Sequence, residues 1–211
     1  MDACETPPRG EKHGIRIAMS TMDRADFLQD ISRYHIDLST EQLERLDAYV
    51  ALLIKWQRRF NLVGPETLSS IYRRHILDCL QLARHVPRGT SVLDVGAGAG
   101  LPAIVLAVVC EVEFVTACER VGKKVQFMNQ AKRELNLGEQ FNAVQKDVRD
   151  LSGRFDVITA RALADLDKLF SLTHHLSHDQ SIFLFPKGEN FQEEIFSANQ
   201  KWLMTTKTEK S

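Results

Sequence analysis

The chain has 211 residues, 44% of them hydrophobic, with 27 basic and 28 acidic side chains and a formal net charge of -1. That is enough apolar material for one domain of ordinary size with a helical extension, and it excludes a disordered chain. The near-neutral balance excludes nucleic-acid binding through a global basic field, and no run of about 18 apolar residues offers a membrane-spanning helix.

In chain order, residues 1–22 are polar, with Pro7, Pro8, Gly10 and Gly14. They are expected to form a disordered tail, or sequence ahead of the true start at Met19 or Met22, and not a secretory signal. A short helix is predicted over 23–35, with Phe27, Leu28, Ile31 and Tyr34 on one side. Ser39 and Gln42 fit a capping box for a helix from Ser39 to Phe60, whose apolar positions Leu43, Leu46, Val50, Leu53, Trp56 and Phe60 recur at helical spacing. Gly64-Pro65 breaks that helix, and a third is predicted from Leu68 to Arg84. The remainder alternates. Strands are predicted at 91–95, 112–118, 141–145, 156–160 and 181–186, and helices at 100–110, 121–136, 164–176 and 189–199. Such alternation with short connections implies a parallel α/β sheet covered on both faces, with ligands bound beyond the carboxyl ends of its strands. The expected division is a tail (1–22), a helical N-terminal extension (23–88) and an α/β domain (89–211).

The most informative stretch is Asp94-Val95-Gly96-Ala97-Gly98-Ala99-Gly100-Leu101-Pro102, between an apolar strand and an apolar helix. Glycine at every second position lets backbone come close to a ligand where a Cβ would clash. The spacing is Gly-x-Gly-x-Gly and not the dinucleotide Gly-x-Gly-x-x-Gly, whose last position falls here on Leu101. Asp94 stands two residues ahead of the first glycine. A carboxylate there attracts the ammonium and sulfonium of S-adenosylmethionine and repels a pyrophosphate, which disfavours a nicotinamide cofactor.

Other candidates sit at strand ends. Glu119 closes the second strand, where an acid binds ribose hydroxyls; a surface ion pair with Lys123 is the structural alternative. Asp147, Val148 and Arg149 follow the third strand, placed to meet an adenine edge. Arg161 follows the fourth, with a salt bridge to Asp165 as its alternative, and Lys187 closes the fifth. Arg161 and Lys187 are the candidate catalytic pair. His75 and Asp78 share a helix face, a pairing more often structural than catalytic. Lys55, Arg58, Arg59, Arg73 and Arg74 supply a local basic patch if their helices are antiparallel. The four cysteines, Cys4, Cys79, Cys110 and Cys118, lack a Cys-x-x-Cys pair. Neither a disulfide framework nor a metal site is expected, and a reducing, cytoplasmic compartment is.

Taken together, Trp56 with Phe60-Asn61-Leu62, Arg74-His75-Ile76-Leu77-Asp78, the glycine stretch from Asp94 to Pro102, Gly122-Lys123-Lys124-Val125-Gln126-Phe127, Arg161-Ala162 and Lys187-Gly188 resemble, in order, the bacterial small-subunit ribosomal RNA methyltransferase G family, also called glucose-inhibited division protein B. The resemblance covers residues 25 to 195. It implies a class I S-adenosylmethionine-dependent methyltransferase, a Rossmann-like sheet with a helical N-terminal extension. It implies methyl transfer to N7 of a guanine in 16S rRNA, conventionally position 527, with the rRNA or the 30S subunit as partner and the enzyme a cytoplasmic monomer. By motif, Gly96 and Leu101 would touch the cofactor, with Gly98 and Gly100 in the same loop. Val148 and Arg149 would line the adenine side, and Arg161 would sit where cofactor and substrate meet. The sequence departs from the family at Val63, where a hydroxyl residue is frequent, and at the C-terminus. Trp202 to Lys207 is expected to form one strand, and the family's last antiparallel strand to be missing or replaced. The residues alone leave two alternatives open: a class I methyltransferase acting on a small molecule or protein, and a module that holds the cofactor or RNA without turnover.

Overall fold

A computed structural model describes residues 23–209, so the expected tail at 1–22 lies outside the described residues. The chain is helical from 23 to 33 (α1). Helix α2 (Thr40–Gln57) begins with the expected capping box: the Ser39 side chain accepts from the Gln42 N–H at 3.1 Å, and Gln42 Oε1 accepts from the Ser39 N–H at 2.9 Å. The helix stops at Gln57, short of Phe60, because the Gln57 side chain turns back on the chain. Its Oε1 accepts from the Leu62 and Val63 N–H groups at 2.8 and 3.0 Å, and its Nε2 donates to the Val63 carbonyl at 2.8 Å.

The single helix expected over 68–84 is three pieces. A 3-10 helix (Pro65–Ser70) leads into a π-helical turn (Tyr72–Leu77) and then α3 (Asp78–Ala83). Tertiary partners compete with the regular ladder here: Asp23 Oδ2 captures the Tyr72 N–H at 2.7 Å. Groups inserted into the ladder are a recognised cause of such irregular turns, which recur at functional sites.

Five strands follow: β1 (Ser91–Val95), β2 (Phe114–Glu119), β3 (Phe141–Gln145), β4 (Val157–Thr159) and β5 (Ile182–Leu184). They form one sheet in the order β3-β2-β1-β4-β5, every pairing parallel. The chain order reverses between β1 and β4, so the open end of the sheet beside β1 is where such folds bind ligands. Between the strands run α4 (Ala103–Val109), α5 (Gly122–Glu134) and α6 (Leu166–Thr173), and α7 (Phe191–Asn199) follows β5.

All five residues of β1 are buried, and they alternate between two cores. Val92 joins a cluster with Phe27, Leu46, Tyr49, Leu53, Ile76, Ile104 and Phe127, whereas Leu93 and Val95 join another with Ile158 and Leu169. By the two-residue period of a strand, Asp94 shares the face of Val92 and of the helical extension. One apolar cluster therefore runs without a break from the extension into the sheet. Cys79 and Cys118 are buried within these cores and Cys110 is half-buried, all as free thiols.

The strand expected at 202–207 is absent. Trp202 packs instead against α6, its ring 5.7 Å from that of Phe170 and 5.4 Å from that of His174, and its Nε1 donates to Asp167 Oδ1 at 3.0 Å. Ring burial and that hydrogen bond hold the segment off the sheet. Among the described residues β5 is an edge strand and no antiparallel strand joins it.

Tyr49 links the extension to the sheet's working end. Its side chain is fully buried and its hydroxyl donates to the Ala99 carbonyl at 2.7 Å. Tyr49→Phe leaves that carbonyl buried without its partner and is expected to cost about 1–3 kcal/mol. Urea denaturation checks this as a lower midpoint with an unchanged slope.

Candidate active site

The glycine loop turns through three left-handed positions, Gly96 (φ +69°), Gly98 (φ +58°) and Gly100 (φ +81°). A side chain at Gly100 would run into Ile104 at 2.5 Å, so that glycine is required by packing against α4. At Gly98 only the Gly96 carbonyl lies within 4 Å of an added Cβ, so this part of the loop faces open space. The loop is held from three sides. The Cys118 carbonyl accepts from the Gly96 and Ala97 N–H groups at 2.9 and 3.1 Å, Glu119 Oε2 accepts from the Gly98 N–H at 3.0 Å, and Tyr49 donates to Ala99. Leu101 is buried beside it.

Asp94 lies at the end of β1 and is 1% exposed. Its Oδ2 accepts from the Ala103 N–H at 3.2 Å, whereas its Oδ1 is buried without a hydrogen-bond partner. Burial pushes its carboxyl up to about 7; the Ala103 N–H and the Arg161 guanidinium oppose that rise and Glu119 adds to it. A buried, half-satisfied carboxylate gains from a cation nearby. Together with the open backbone at Gly98, it fits a ligand bearing positive charge, such as a sulfonium nucleoside.

Glu119 is buried and serves the loop. Besides Gly98 it accepts from the Val121 N–H at 2.9 Å, and the cation nearest it is Lys124 at 4.0 Å, not Lys123. Each carboxylate oxygen keeps a further lone pair for a hydroxyl donor. Asp147 caps the 3-10 turn Val148–Asp150. Arg149 folds back on it, Nε and Nη2 donating to its carboxylate at 2.9 and 2.8 Å, and the Val148 side chain is buried beneath. The side-chain and backbone hydrogen bonds from Arg149 hold the Asp147 carboxyl well below its ordinary range.

Arg161 does not pair with Asp165, whose carboxylate caps α6 by accepting from the Lys168 N–H at 2.9 Å. It reaches across to the extension instead. Its Nη2 donates to His75 Nδ1 at 2.7 Å and to the Arg74 carbonyl at 3.2 Å, and its Nη1 lies 3.9 Å from Cys79 Sγ. His75 Nε2 is 2.7 Å from Thr67 Oγ1, which itself donates to the Gly64 carbonyl at 2.7 Å. His75 therefore bonds to Thr67 and Arg161 and not to Asp78, the partner its spacing suggested. Burial first, then Arg161 and Arg74, lower its imidazole to about 4 against an opposing pull from Glu66. The next residue, Ala162, is left-handed at φ +52°, a conformation that costs a non-glycine residue about 1 kcal/mol or more. The chain reversal lays Leu163, 43% exposed, over the glycine loop, 3.0 Å from where a Cβ on Gly96 would be.

Lys187 is neither a free surface lysine nor aimed into open space. Its Nζ donates to the Ala164 carbonyl at 2.6 Å and pairs with Glu194 Oε2 at 2.7 Å, and Glu194 also accepts from the Leu166 N–H at 3.0 Å. These bonds tie the loop after β4 to α7. The basic residues divide. Arg73 pairs with Asp30 at 2.7 Å, while Lys123, its Nζ 5.4 Å from the Phe60 ring centre, joins the end of α2 that carries Lys55, Arg58 and Arg59. Tyr49, Thr67, Leu163 and Glu194 escaped the sequence reading. Each acts through a partner at least seven residues away, which no local spacing reveals.

Comparison with known proteins agrees with this geometry. The family model for rRNA small subunit methyltransferase G matches residues 42–211. The ribosomal RNA small subunit methyltransferase G of Methylobacillus flagellatus is 40% identical over 167 residues, 78% of this chain and 80% of that protein. The protein of the same name from Hyphomonas neptunium is 34% identical over 180 residues, 85% and 84% of the two chains. Among solved structures, a SAM-dependent O-methyltransferase from Thermotoga maritima superposes with a TM-score of 0.54 at 16% identity, covering 72% of this chain and 55% of that one; this likeness is one of fold.

The Asp94 carboxyl sets a pH dependence. Below about 7 it is largely protonated in the free protein. A cationic ligand favours the ionised form, so binding releases a proton there. Affinity for S-adenosylmethionine is expected to rise up to about tenfold per pH unit between about pH 5 and 7 and to level off above. Calorimetry across that range checks this, and Asp94→Asn should flatten the profile.

Proposed function

Because the chain belongs to the rRNA small subunit methyltransferase G family, we propose that it methylates N7 of a guanine in 16S rRNA, using S-adenosylmethionine held at the glycine loop. The observation that carries the cofactor assignment is the buried Asp94 oxygen without a partner, beside backbone left open at Gly98. In this reading Gly96, Gly98, Gly100 and Leu101 form the floor of the cofactor site, Glu119 receives ribose hydroxyls, and Asp147, Val148 and Arg149 border the adenine. When bound, the cofactor supplies a methyl group activated by its sulfonium.

Guanine N7 carries a lone pair and no proton, so the protein needs no general base. The described side chains agree with that economy. Asp94 is buried with one oxygen on the Ala103 N–H, Asp147 is engaged by Arg149, and His75 is engaged on both ring nitrogens. The remaining task is alignment of N7 with the methyl group, and positioning alone is worth several orders of magnitude in rate. The methylated base becomes cationic, so Arg161 is assigned to guanine O6, a phosphate or the cofactor carboxylate, and not to N7. Lys187, tied to Ala164 and Glu194, is assigned to holding the Arg161 loop in place. Phosphates of the RNA are assigned to the basic end of α2 with Lys123, which makes binding salt-dependent.

The test is mass spectrometry of 16S rRNA nucleosides after incubation of the protein and S-adenosylmethionine with naked rRNA or with 30S subunits that lack the modification. N7-methylguanosine is expected. Cofactor binding without a methylated product would indicate a binding module, and transfer only to a protein or small molecule would refute the RNA assignment. Arg161→Ala is expected to lower single-turnover methyl transfer by at least about tenfold, the loss of one charge-assisted contact in the transition state.

A further inference from the structure

The cradle behind Arg161 has a property that its role in the fold does not require. Among the described residues no carboxylate lies within ion-pair distance of this guanidinium, and its partners are an imidazole, a backbone carbonyl and a thiol. All three come from the π-helical turn and the start of α3. Arginine has five N–H donors in a rigid plane and no acceptor. Three of them are engaged, two on Nη2 by His75 and the Arg74 carbonyl and one on Nη1 by the Cys79 thiol, so the plane is fixed while its charge has no carboxylate in contact; Asp78 and Asp94 feel it only at longer range.

The hydrogen-bond chain also fixes the state of the ring. Arg161 can only donate, so His75 Nδ1 must be the acceptor. The proton then sits on Nε2 and is donated to Thr67 Oγ1, whose own hydroxyl is donated to the Gly64 carbonyl. His75 is 7% exposed, so this arrangement is shielded from competing water. A charged ring would put an N–H against an N–H and a cation against a cation. A carboxylate in the same place would hold Arg161 equally well but would neutralise it. A neutral imidazole orients the guanidinium and preserves its charge for a ligand.

We propose that His75, as the neutral Nε2–H tautomer, is a positioning residue for methyl transfer: it holds Arg161 aimed at the site without neutralising it, which makes the helical extension part of the catalytic apparatus. The inference rests on the reading of Arg161 as a site residue. His75 touches neither cofactor nor substrate and acts only through Arg161. The groups that face its ring are Arg161, Arg74 and Glu66, together with Thr67; of these only Glu66 favours a charged ring.

The test uses the full chain, S-adenosylmethionine and unmodified 30S subunits, read as single-turnover rate, substrate KM and cofactor affinity. His75→Leu, which removes the acceptor, and His75→Asp, which keeps an acceptor but adds a charge, are each expected to lower the rate at least about tenfold with cofactor affinity little changed. His75→Asn, isosteric with Asp and neutral, is expected to stay within about threefold of the parent. In an Arg161→Ala background, His75→Leu should cause no further loss. Equal rates for His75→Asn and His75→Asp, or additive losses in the double variant, would overturn the proposal. If Arg161→Ala alone leaves the rate unchanged, the reading of Arg161 fails first and the inference with it. Nitrogen NMR of the unmodified protein gives an independent check that needs no variant to fold. A neutral ring protonated on Nε2 at pH 7 is expected, and a charged ring or an Nδ1–H tautomer would refute the assignment.

Discussion

A carboxylate placed inside the protein at the end of its central strand is the constraint around which the rest is arranged. Asp94 lies between β2 and β4 in the sheet, and its side chain shares the face covered by the extension. Removing an ionised carboxylate from water is costly unless it is paired and hydrogen-bonded. Here one oxygen has a backbone N–H and the other has nothing. A core that holds such a group gains from a positive ligand. In the proposed reading, that gain favours a sulfonium over a phosphate.

The neighbouring parts make the carboxylate usable. The glycine loop must bend closely over it, and it is fixed by a buried acid on β2 and a buried tyrosine on α2. The loop after β4 is fixed in turn by Lys187 and Glu194 on one side and by the Arg161 cradle on the other. Both site loops are therefore gripped by elements from outside the sheet. The extension makes a hydrogen bond to each of them, a buried one through Tyr49 and a part-buried one through His75. Groups locked by packing and by second partners hold a geometry better than groups on free loops, which suits an enzyme whose chemistry needs alignment and no proton transfer.

Much of this was legible in the residues. The capping box at Ser39 and Gln42 was visible because both partners lie within one turn. The parallel sheet was visible because buried strands and covering helices alternate at short spacing. The position of Asp94 and the three glycines was visible because a strand, a close-approach turn and a helix leave a dense local pattern. Family membership was visible because six short motifs occur in one order. The misreadings share a cause. The helix over 68–84 reads as regular by periodicity, yet Asp23 and Arg161 draw its backbone and His75 into tertiary bonds. The strand at 202–207 reads as extended, yet Trp202 finds a better surface on α6 than on the sheet edge.

The amino-acid order by itself thus determined most of the element types, the parallel topology, the acid-led glycine turn and the family, because these depend on side chains a few residues apart. Tertiary structure alone decided the orientation of the site. It directed Arg161 to a histidine 86 positions away instead of the acid four residues on, and it left one oxygen of Asp94 bare. It also made Lys187 a tether for the loop after β4. Hydrogen bonds and desolvation act through distance in space, and that distance is set only once the sheet, the extension and the crossing loops have packed together.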